Sequence, residues 1–353
     1  MKVRVRDIAA KAGVSPATVS NALNGRAGVS KENASQILRL AENMGYLGMR
    51  TVKPSSEKSY VRLVMFKRHG LVVMDTQFFM ELVESIEREC QAQGHNLVIT
   101  HIHIQQDADY LERIRSICAE ECAGILLLST EMYTEDLALF SQCVSPLVSV
   151  DNLFRHEKVN AVAINNYDAG FQAVNALYAA GHRKIAHITS TVEFSNMRYR
   201  RKGYEAAMQV LALPTDESCY WRVTPTLEGS YRDMQVMLDS GRKPPTAFFA
   251  GNDIMAVGCM RALSEKGYST PAHVSMIGMD DVQLCQFHTP TLSSMKVFRQ
   301  DMGIAAVRTL LGLVGNFSAN CVIKSELSVE LIERNSVAPP LPSPKPDFSQ
   351  QRL

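Results

Sequence analysis

Four polar side chains stand where strand-like runs end or helical runs begin. Asp151 follows PLVSV, Arg200 precedes Gly203, Asn252 follows TAFFAG, and Asp280 follows VSMIGM. A pair of rings, Phe78 and Phe79, opens a helical stretch. Carboxylates, amides and a guanidinium suit the hydroxyls of a sugar or nucleoside, and aromatic faces suit the apolar side of its ring. Each is commonplace alone, because an aspartate after a strand is more often a cap and paired phenylalanines are more often core.

Other chemistries have less to stand on. His101 and His103 lie two apart on one face of a strand-like run, but no third Cys or His ligand follows at a recognisable spacing, so neither metal nor cofactor is expected. The eight cysteines (90, 118, 122, 143, 219, 259, 285 and 321) contain no C-x-x-C pair, which argues against a disulfide framework and a zinc ribbon. Cys118 and Cys122, four apart, read as a buried or half-buried pair. His182 and His187, in AGHRKIAHI, read as structural. There is no G-x-S-x-G, no G-x-x-x-x-G-K-[ST] and no G-x-G-x-x-G after a strand, so an enzyme reading lacks a handle.

Charge points elsewhere. Through Tyr60 the chain carries ten Lys/Arg against four Asp/Glu, and the remainder carries 27 against 32. A basic head on a mildly acidic body suggests a polyanionic partner, since cations gain affinity by releasing counterions condensed on phosphates. Within that head, SPATVSNALNG reads as the second helix of a helix-turn-helix, the one whose first turns reach base edges in the major groove. Val19, Ala22 and Leu23 face inward, leaving Pro16, Ala17, Thr18, Ser20 and Asn21 outward. Ser15, Thr18 and Ser20 suit phosphates or bases, and Ala17 suits a thymine methyl. The Asn21 amide can pair with adenine N6 and N7, or it touches only backbone and water. Arg6, Asn24, Arg26, Lys31 and Asn33 are candidate phosphate contacts.

The elements that must position these groups follow from periodicity. Val5, Ile8 and Ala12, then Val19, Ala22 and Leu23, then Ala34, Ile37, Leu38, Ala41 and Met44 form three helical faces. Gly13 permits a tight turn, Ser15-Pro16 is an N-cap with proline at the first helical position, Ser30 caps the third helix and Gly45 ends it. Beyond a linker, strand runs at 61–66, 96–100, 123–128, 146–150, 184–188, 246–250 and 274–278 alternate with amphipathic helices. Repeated βα units imply parallel sheets covered on both faces. About 275 residues exceed one such sheet, so two α/β lobes with a cleft are expected, ligands binding beyond the carboxyl ends of the strands. The N-terminus has no apolar run of a secretion signal and no window is long enough to span a membrane, so a cytoplasmic protein is expected.

The run VRDIAAKAGVSPATVSNALNG, continued by VSKENASQILRLAENMGY, resembles the headpiece of the LacI/GalR family of bacterial transcription regulators. The similarity extends in order through CAGILLL, SPLVSVDN, AGHRKIAHI, RRKGYEAAM, PPTAFFAGNDIMAVG, VSMIGMDD and ELIERNS. The resemblance implies an α/β chain with a helix-turn-helix domain at 1–47, a hinge at 48–60, a two-lobed periplasmic-binding-protein-like effector and dimerisation domain at 61–335, and an unstructured proline-rich tail at 336–353. Lobe 1 would take about 61–160 and 292–320, and lobe 2 about 161–291 and 321–335. It implies a homodimer on palindromic operator DNA, acting as a repressor of a carbohydrate-use operon under a sugar-like effector. The alternative is a solute-binding protein for a sugar or nucleoside, which predicts a secretion signal and no basic headpiece.

In this family the positions of Asp151, Arg200, Asn252, Asp280, Phe78 and Phe79 line the cleft, with Thr76, Asn196 and Phe154 second in rank. Relatives commonly carry arginine at Asn21 and a threonine-arginine pair at Asn33-Ala34, so a different operator base and one lost phosphate contact are implied. Asn165 stands where aspartate is usual, at a position that reads as structural. KRHGLVVMDTQFF departs from a short polar link: Leu71, Val72, Val73 and Met74 would place apolar bulk near the cleft mouth.

The hinge also departs. The family's Y-x-P-N-x-x-A-R-x-L folds on DNA into a helix whose leucine wedges into the minor groove. Aligned on Tyr46, this chain has Gly48 and Met49 at Pro-Asn, Val52 and Lys53 at Ala-Arg, and Ser55 at the leucine, with Pro54 inside the helix. Proline removes a donor and pushes Lys53 toward extended backbone, and serine is no apolar wedge. Operator DNA is therefore expected to be little kinked at its centre, with Arg50, Lys53 and Lys58 contacting at most phosphates. A circular-permutation bending assay checks this; a strong central kink would make Met49 or Val52 the substitute wedge.

Overall fold

The computed structural model describes residues 4–23, 29–44, 60–73, 77–313 and 321–341. Two compact units divide the chain, Met1–Ser59 and Tyr60–Leu353. In the first, α1 (Val5–Ala12), α2 (Pro16–Leu23) and α3 (Lys31–Asn43) enclose Ile8, Ala9, Val19, Ala22, Ile37 and Ala41. Gly13 ends α1 with φ 67°, the left-handed conformation that glycine adopts without a Cβ penalty. The caps stand as the sequence suggests: the Thr18 amide donates to Ser15 Oγ at 3.1 Å, and the Asn33 amide donates to Ser30 Oγ at 3.3 Å.

The second unit begins with β1 (Tyr60–Lys67), α4 (Gln77–Ala92), β2 (Asn96–His103), α5 (Tyr110–Ala119), β3 (Gly124–Leu128), a 3-10 turn at Thr134–Phe140, β4 (Leu147–Val150) and β5 (Asn160–Ile164). It continues with α6 (Asn166–Ala179), β6 (Ile185–Ser190), α7 (Ser195–Val210), β7 (Tyr220–Val223), α8 (Leu227–Asp239), β8 (Ala247–Ala250), α9 (Asp253–Glu265), β9 (Ser275–Asp280), α10 (Leu284–Phe287) and β10 (Ser293–Val297). The chain closes with α11 (Arg299–Gly312), β11 (Lys324–Leu327) and β12 (Val329–Ile332).

Among the described residues these strands form two six-stranded sheets, ordered β11-β5-β4-β3-β1-β2 and β12-β10-β9-β8-β6-β7. Every pairing in the first is parallel, and in the second only the edge strand β12 runs antiparallel, against β10. The fully buried GILLL of β3 and AFFA of β8 are the continuous apolar runs that central parallel strands require. Five strands, β5, β7, β10, β11 and β12, go unannounced in the sequence: they are short and broken by Asn, Arg, Ser, Lys and Glu. The lobe boundaries need correction. Ser293–Val297, expected in lobe 1, belongs to the second sheet, and Lys324–Leu327, expected in lobe 2, belongs to the first, because the chain crosses over again at Phe298 and Ser328.

Two further expectations change. Residues 336–341 are not a loose tail: Ser336 Oγ accepts from the Ser293 amide at 2.8 Å, and the Ala338 carbonyl meets His182 Nε2 at 2.9 Å. Tail residues 342–353 lie outside the described residues. Cys118, read beside Cys122 as a buried or half-buried pair, is joined in a single disulfide to Cys143, while the spacing argues against a disulfide framework and the other six cysteines are free. The turn at Thr134–Phe140 returns the chain to the end of α5, a tertiary proximity that a 25-residue separation does not announce.

Glycine sets the tightest helix contact. A Cβ on Gly203 of α7 would lie 1.9 Å from the Tyr167 carbonyl oxygen of α6, and one on Gly170 of α6 would lie 2.2 Å from the Arg200 carbonyl oxygen. The two backbones touch there, and Arg200 rides on that contact.

Candidate functional site

Within the second unit, a cavity of about 340 Å³ opens where the carboxyl ends of strands from both sheets meet, a size suited to a small molecule. Phe78, Phe79, Asp151, Asn196, Arg200, Asn252 and Asp280 all line it. Thr76 lies outside the described residues. Phe154 does not line the cavity; it is buried in a separate apolar cluster that also holds Phe66, Phe140 and Val159. Leu71 and Val72 reach the cavity as expected of the apolar loop, whereas Val73 turns into the core and Met74 lies outside the described residues.

Arg200 is 4% exposed and bound on three sides. Its Nε donates to Asn166 Oδ1 at 2.7 Å, Nη1 donates to the Gly251 carbonyl, and Nη2 stands 3.7 Å from Asp280 Oδ1. Asn166 begins α6 and Gly251 follows β8, so one cation ties a helix start, a strand end and a carboxylate together. Asn252 caps α9, accepting the Met255 amide on Oδ1 at 2.8 Å, which leaves its NH₂ for the cleft. Asn165 likewise caps α6, accepting the Asp168 amide at 3.1 Å.

Asp151 is buried, with Thr130 Oγ1 donating to its Oδ2 at 2.7 Å while Oδ1 has no hydrogen-bond partner. Burial pushes its carboxyl up to about 6 against the pull of Thr130, Arg200 and Asn196. Burial lifts Asp280 to about 7; Arg200 and Arg299 oppose this, and Asp253 and Asp151 add to it. Both aspartates hold positive φ, 67° at Asp151 and 106° at Asp280, as does Asp281 at 52°. Strained aspartates at strand ends, held by surrounding bonds, mark functional turns.

Several residues that shape the site are not foreseen. Asp253, fully buried, accepts Ser294 Oγ at 2.7 Å and the Val282 amide at 3.0 Å, which fixes the turn after Asp280. Gln77 Oε1 accepts the Gln283 amide at 2.6 Å, and Arg299 joins Glu81 at 2.7 Å to the Asp280 carbonyl; both link α4 of the first lobe to that turn in the second. Thr130, Phe194, Leu227, Ile254 and Leu284 also line the cavity. A polar residue just after a strand is the one signal that could have flagged Thr130; the apolar ones carry none.

The predicted DNA-reading residues belong to the first unit. Arg6, Ser15, Pro16, Ala17 and Asn33 are exposed, and Thr18, Ser20 and Asn21 are half-buried. Ser15 Oγ also bonds Thr18 Oγ1 at 2.8 Å, so both hydroxyls already serve the helix start. Lys31 opens α3. Asn24, Arg26, Arg50, Lys53 and Lys58 lie outside the described residues, as does the hinge through residue 59, while Tyr60, expected to end the hinge, opens β1.

A carboxyl whose pKa is higher in the folded than in the unfolded chain contributes stability that is complete below about pH 4 and is lost as pH rises through the folded value, here about 7. Asp280→Asn keeps the shape and tolerates the positive φ but cannot ionise. Its melting temperature minus that of the wild type is expected to rise by roughly 2 °C or more between about pH 5 and pH 8; a difference that stays flat in differential scanning calorimetry would contradict the raised titration.

Comparison with known proteins follows the same division. Residues 4–48 match bacterial regulatory proteins of the lacI family, and residues 174–337 match a periplasmic binding protein-like domain. The HTH-type transcriptional repressor PurR of Haemophilus influenzae is 28% identical over 340 residues, 94% of this chain and 98% of that protein. The ribose operon repressor of Haemophilus influenzae is 30% identical over 322 residues, 90% of this chain and 93% of that protein. Among solved structures, a lac repressor dimer bound to operator and the anti-inducer ONPF matches with a TM-score of 0.71 at 21% identity, over 96% of this chain and 100% of that one. A complex of the transcriptional regulator CelR with cellobiose matches at 0.70 and 23% identity, over 95% of this chain and 100% of that one. These two likenesses are of fold.

Proposed function

We propose, from the premise that this chain belongs to the lacI family of bacterial regulatory proteins, that it is a homodimeric repressor of a carbohydrate-use operon, released from or fixed on a palindromic operator by a sugar-like effector in the cleft. The chain is a DNA-binding transcription regulator and not an enzyme. Among the described residues no helix is long and apolar enough to cross a membrane. The observation that carries the effector reading is the buried Arg200 beside Asp151, whose Oδ1 is a buried acceptor with no partner. A ligand hydroxyl supplies the missing donor. Phe78 and Phe79, edge to face at 5.0 Å, offer an aromatic corner for a ring's C–H face. The names of the ribose operon repressor and the cellobiose complex support a sugar. A transport protein for solutes would have no use for the headpiece at 4–48.

The mechanism is a shift of population. Effector favours one arrangement of the two lobes, and the links from Gln77, Glu81 and Arg299 to the 280–283 turn connect the site to α4. Effector alters operator affinity only through its differential affinity for the two states, and operator alters effector affinity by the same factor. Contacts to the operator are assigned to Arg6, Ser15, Pro16, Ala17, Thr18, Ser20, Asn21, Asn24, Lys31, Asn33, Arg50 and Lys53, and effector contacts to Thr76, Phe78, Phe79, Asp151, Asn196, Arg200, Asn252 and Asp280.

Arg200→Ala is expected to abolish the effector's influence on operator affinity in a gel-shift titration, with circular dichroism melting run alongside to show that the variant is folded. A folded variant that still responds would remove the cleft from the mechanism. Asn21→Ala is expected to cost about 1–3 kcal/mol on the cognate operator and to relax preference at one base pair. An equal loss on every sequence would make Asn21 a phosphate contact instead.

A further inference from the structure

The Cys118–Cys143 bond closes a ring in the first lobe. Cys118 lies in the last turn of α5, Cys143 follows the 3-10 turn at Thr134–Phe140, and their sequence separation is 25. Inside that ring stand both carboxylates that fasten the loop between β1 and α4. Glu131, with no exposed surface, accepts the amides of Arg68, His69 and Gly70 on Oε2 at 2.8, 3.0 and 2.9 Å, and those of Val72 and Val73 on Oε1 at 2.9 and 2.8 Å. Asp136 Oδ1 accepts Arg68 Nη2, and the same guanidinium lies 4.2 Å over the Tyr133 ring. The loop so held carries Leu71 and Val72 to the cleft wall.

The ring has a firm end and a yielding one. β3 pins residues 124–128 in the middle of the sheet, and Asn152 Nδ2 donates to the Ser129 and Met132 carbonyls at 3.3 Å each. The other end returns to α5 through the disulfide and through the Val144 amide, which donates to the Cys118 carbonyl at 3.0 Å. Reduction replaces a bond by a van der Waals contact, so the sulfurs must separate. A short 3-10 turn, with its poorer hydrogen bonds, gives way before a ten-residue α-helix does. Asn152 and the Val144 amide keep the shift local, and Asp136 moves with the turn.

The sulfurs can be reached from the surface of the lobe. A groove of about 370 Å³ has Cys118 in its wall beside Ile114 and Leu139, and another of about 500 Å³ has Cys143 beside Ser141 and Ser145. Cys118 is 4% exposed and Cys143 is half-buried, so Cys143 Sγ is the atom that an incoming thiolate meets first. A bacterial DNA-binding regulator works beside the chromosome, where small thiols keep most cysteines reduced. A disulfide formed there is characteristically transient or sensing.

Resting on the reading that the cleft is the effector site, we propose that Cys118 and Cys143 are a reversible modification site, exchanging with a low-molecular-weight thiol and its disulfide, and that its state sets how firmly Glu131 and Asp136 hold the cleft loop. On reduction one thiolate attacks Cys143 Sγ, forming a mixed disulfide and releasing Cys118 as thiolate. A second thiolate attacks the small thiol's sulfur in that mixed disulfide, releasing Cys143 and forming the small disulfide. Two electrons pass to the protein, and the two protons of the incoming thiols end on the two cysteines. Oxidation is the reverse, with the small disulfide as oxidant. The reduced form has the looser loop and so the weaker hold on effector.

The test equilibrates the full chain in mixtures of reduced and oxidised glutathione, reads the cysteines by alkylation and mass spectrometry, and follows hydrogen exchange over residues 68–73. The bond is expected to form where oxidised glutathione dominates and to open where the reduced form does, with exchange of the Val72 and Val73 amides about tenfold faster in the opened protein. Cys118→Ser combined with Cys143→Ser is expected to exchange at the fast rate in every mixture, and Cys122→Ser to behave as the wild type. The wild-type titration stands without the variants, should the double variant fold poorly. A bond that stays closed in a large excess of reduced glutathione is a permanent staple, and thiols that never join are no site; either result overturns the proposal. Exchange over 68–73 that ignores the redox state overturns the link to the cleft. None of these results touches the effector reading, which the Arg200→Ala titration judges separately.

Discussion

The guanidinium of Arg200 is the interaction on which the cleft depends. Burying a cation costs several kcal/mol unless its donors are met, and removing one partner of such a group leaves the cost uncompensated. Here Nε and Nη1 are met by the first residue of α6 and the carbonyl after β8, and the charge is balanced by the carboxylate ending β9, 3.7 Å from Nη2, all in different parts of the second lobe. The glycine contact at 170 and 203 lets the α7 backbone approach α6 closely enough for the side chain to reach all three. Sequence, packing and site meet at one residue.

The same residue explains the electrostatic character of the cleft. Arg200 compensates about one charge, yet Asp151, Asp253 and Asp280 all approach it or one another, and burial raises the affinity of each for a proton. Asp253 differs from the other two in being spoken for, by Ser294 and the Val282 amide. That division separates a carboxylate that builds the turn from two that stay available to a ligand.

How much of this is legible in the chain depends on whether the cause is local. The head's three helices and their caps are written in a 3.6-residue rhythm with Ser15, Pro16, Gly13 and Ser30 at its breaks, and all of them can be read. Asp151, Arg200, Asn252 and Asp280 are legible as residues at strand ends or helix starts, although only a family resemblance lifts them above caps. Asn252 proves to be a cap as well as a cleft residue, so the two readings were never exclusive. Glu131 is invisible by contrast, because its five partners lie about sixty residues away and are backbone amides that every sequence possesses. The Cys118–Cys143 bond and the crossing of β10 and β11 between lobes are hidden for the same reason.

The links across the cleft constrain how an effector can act. Gln77 and Glu81 on α4 already hold the 280–283 turn through the Gln283 amide and Arg299, and Phe78 and Phe79 sit on the same helix turn as Gln77. A ligand that donates to Asp280 and packs on those rings touches both ends of this linkage at once. The turn it touches has little freedom: Asp280 and Asp281 have positive φ, Asp253 grips the Val282 amide, and Arg334 reaches Asp281 at 2.6 Å. A rigid turn transmits displacement instead of absorbing it, because packed interiors deform little and switch between discrete arrangements. On the proposed mechanism α4 would register occupancy of the cleft, and α4 packs along α11 and β2 of the first lobe. On the proposed mechanism the difference an effector selects would therefore be a movement of whole elements about this turn, with the cleft polar groups as its reference.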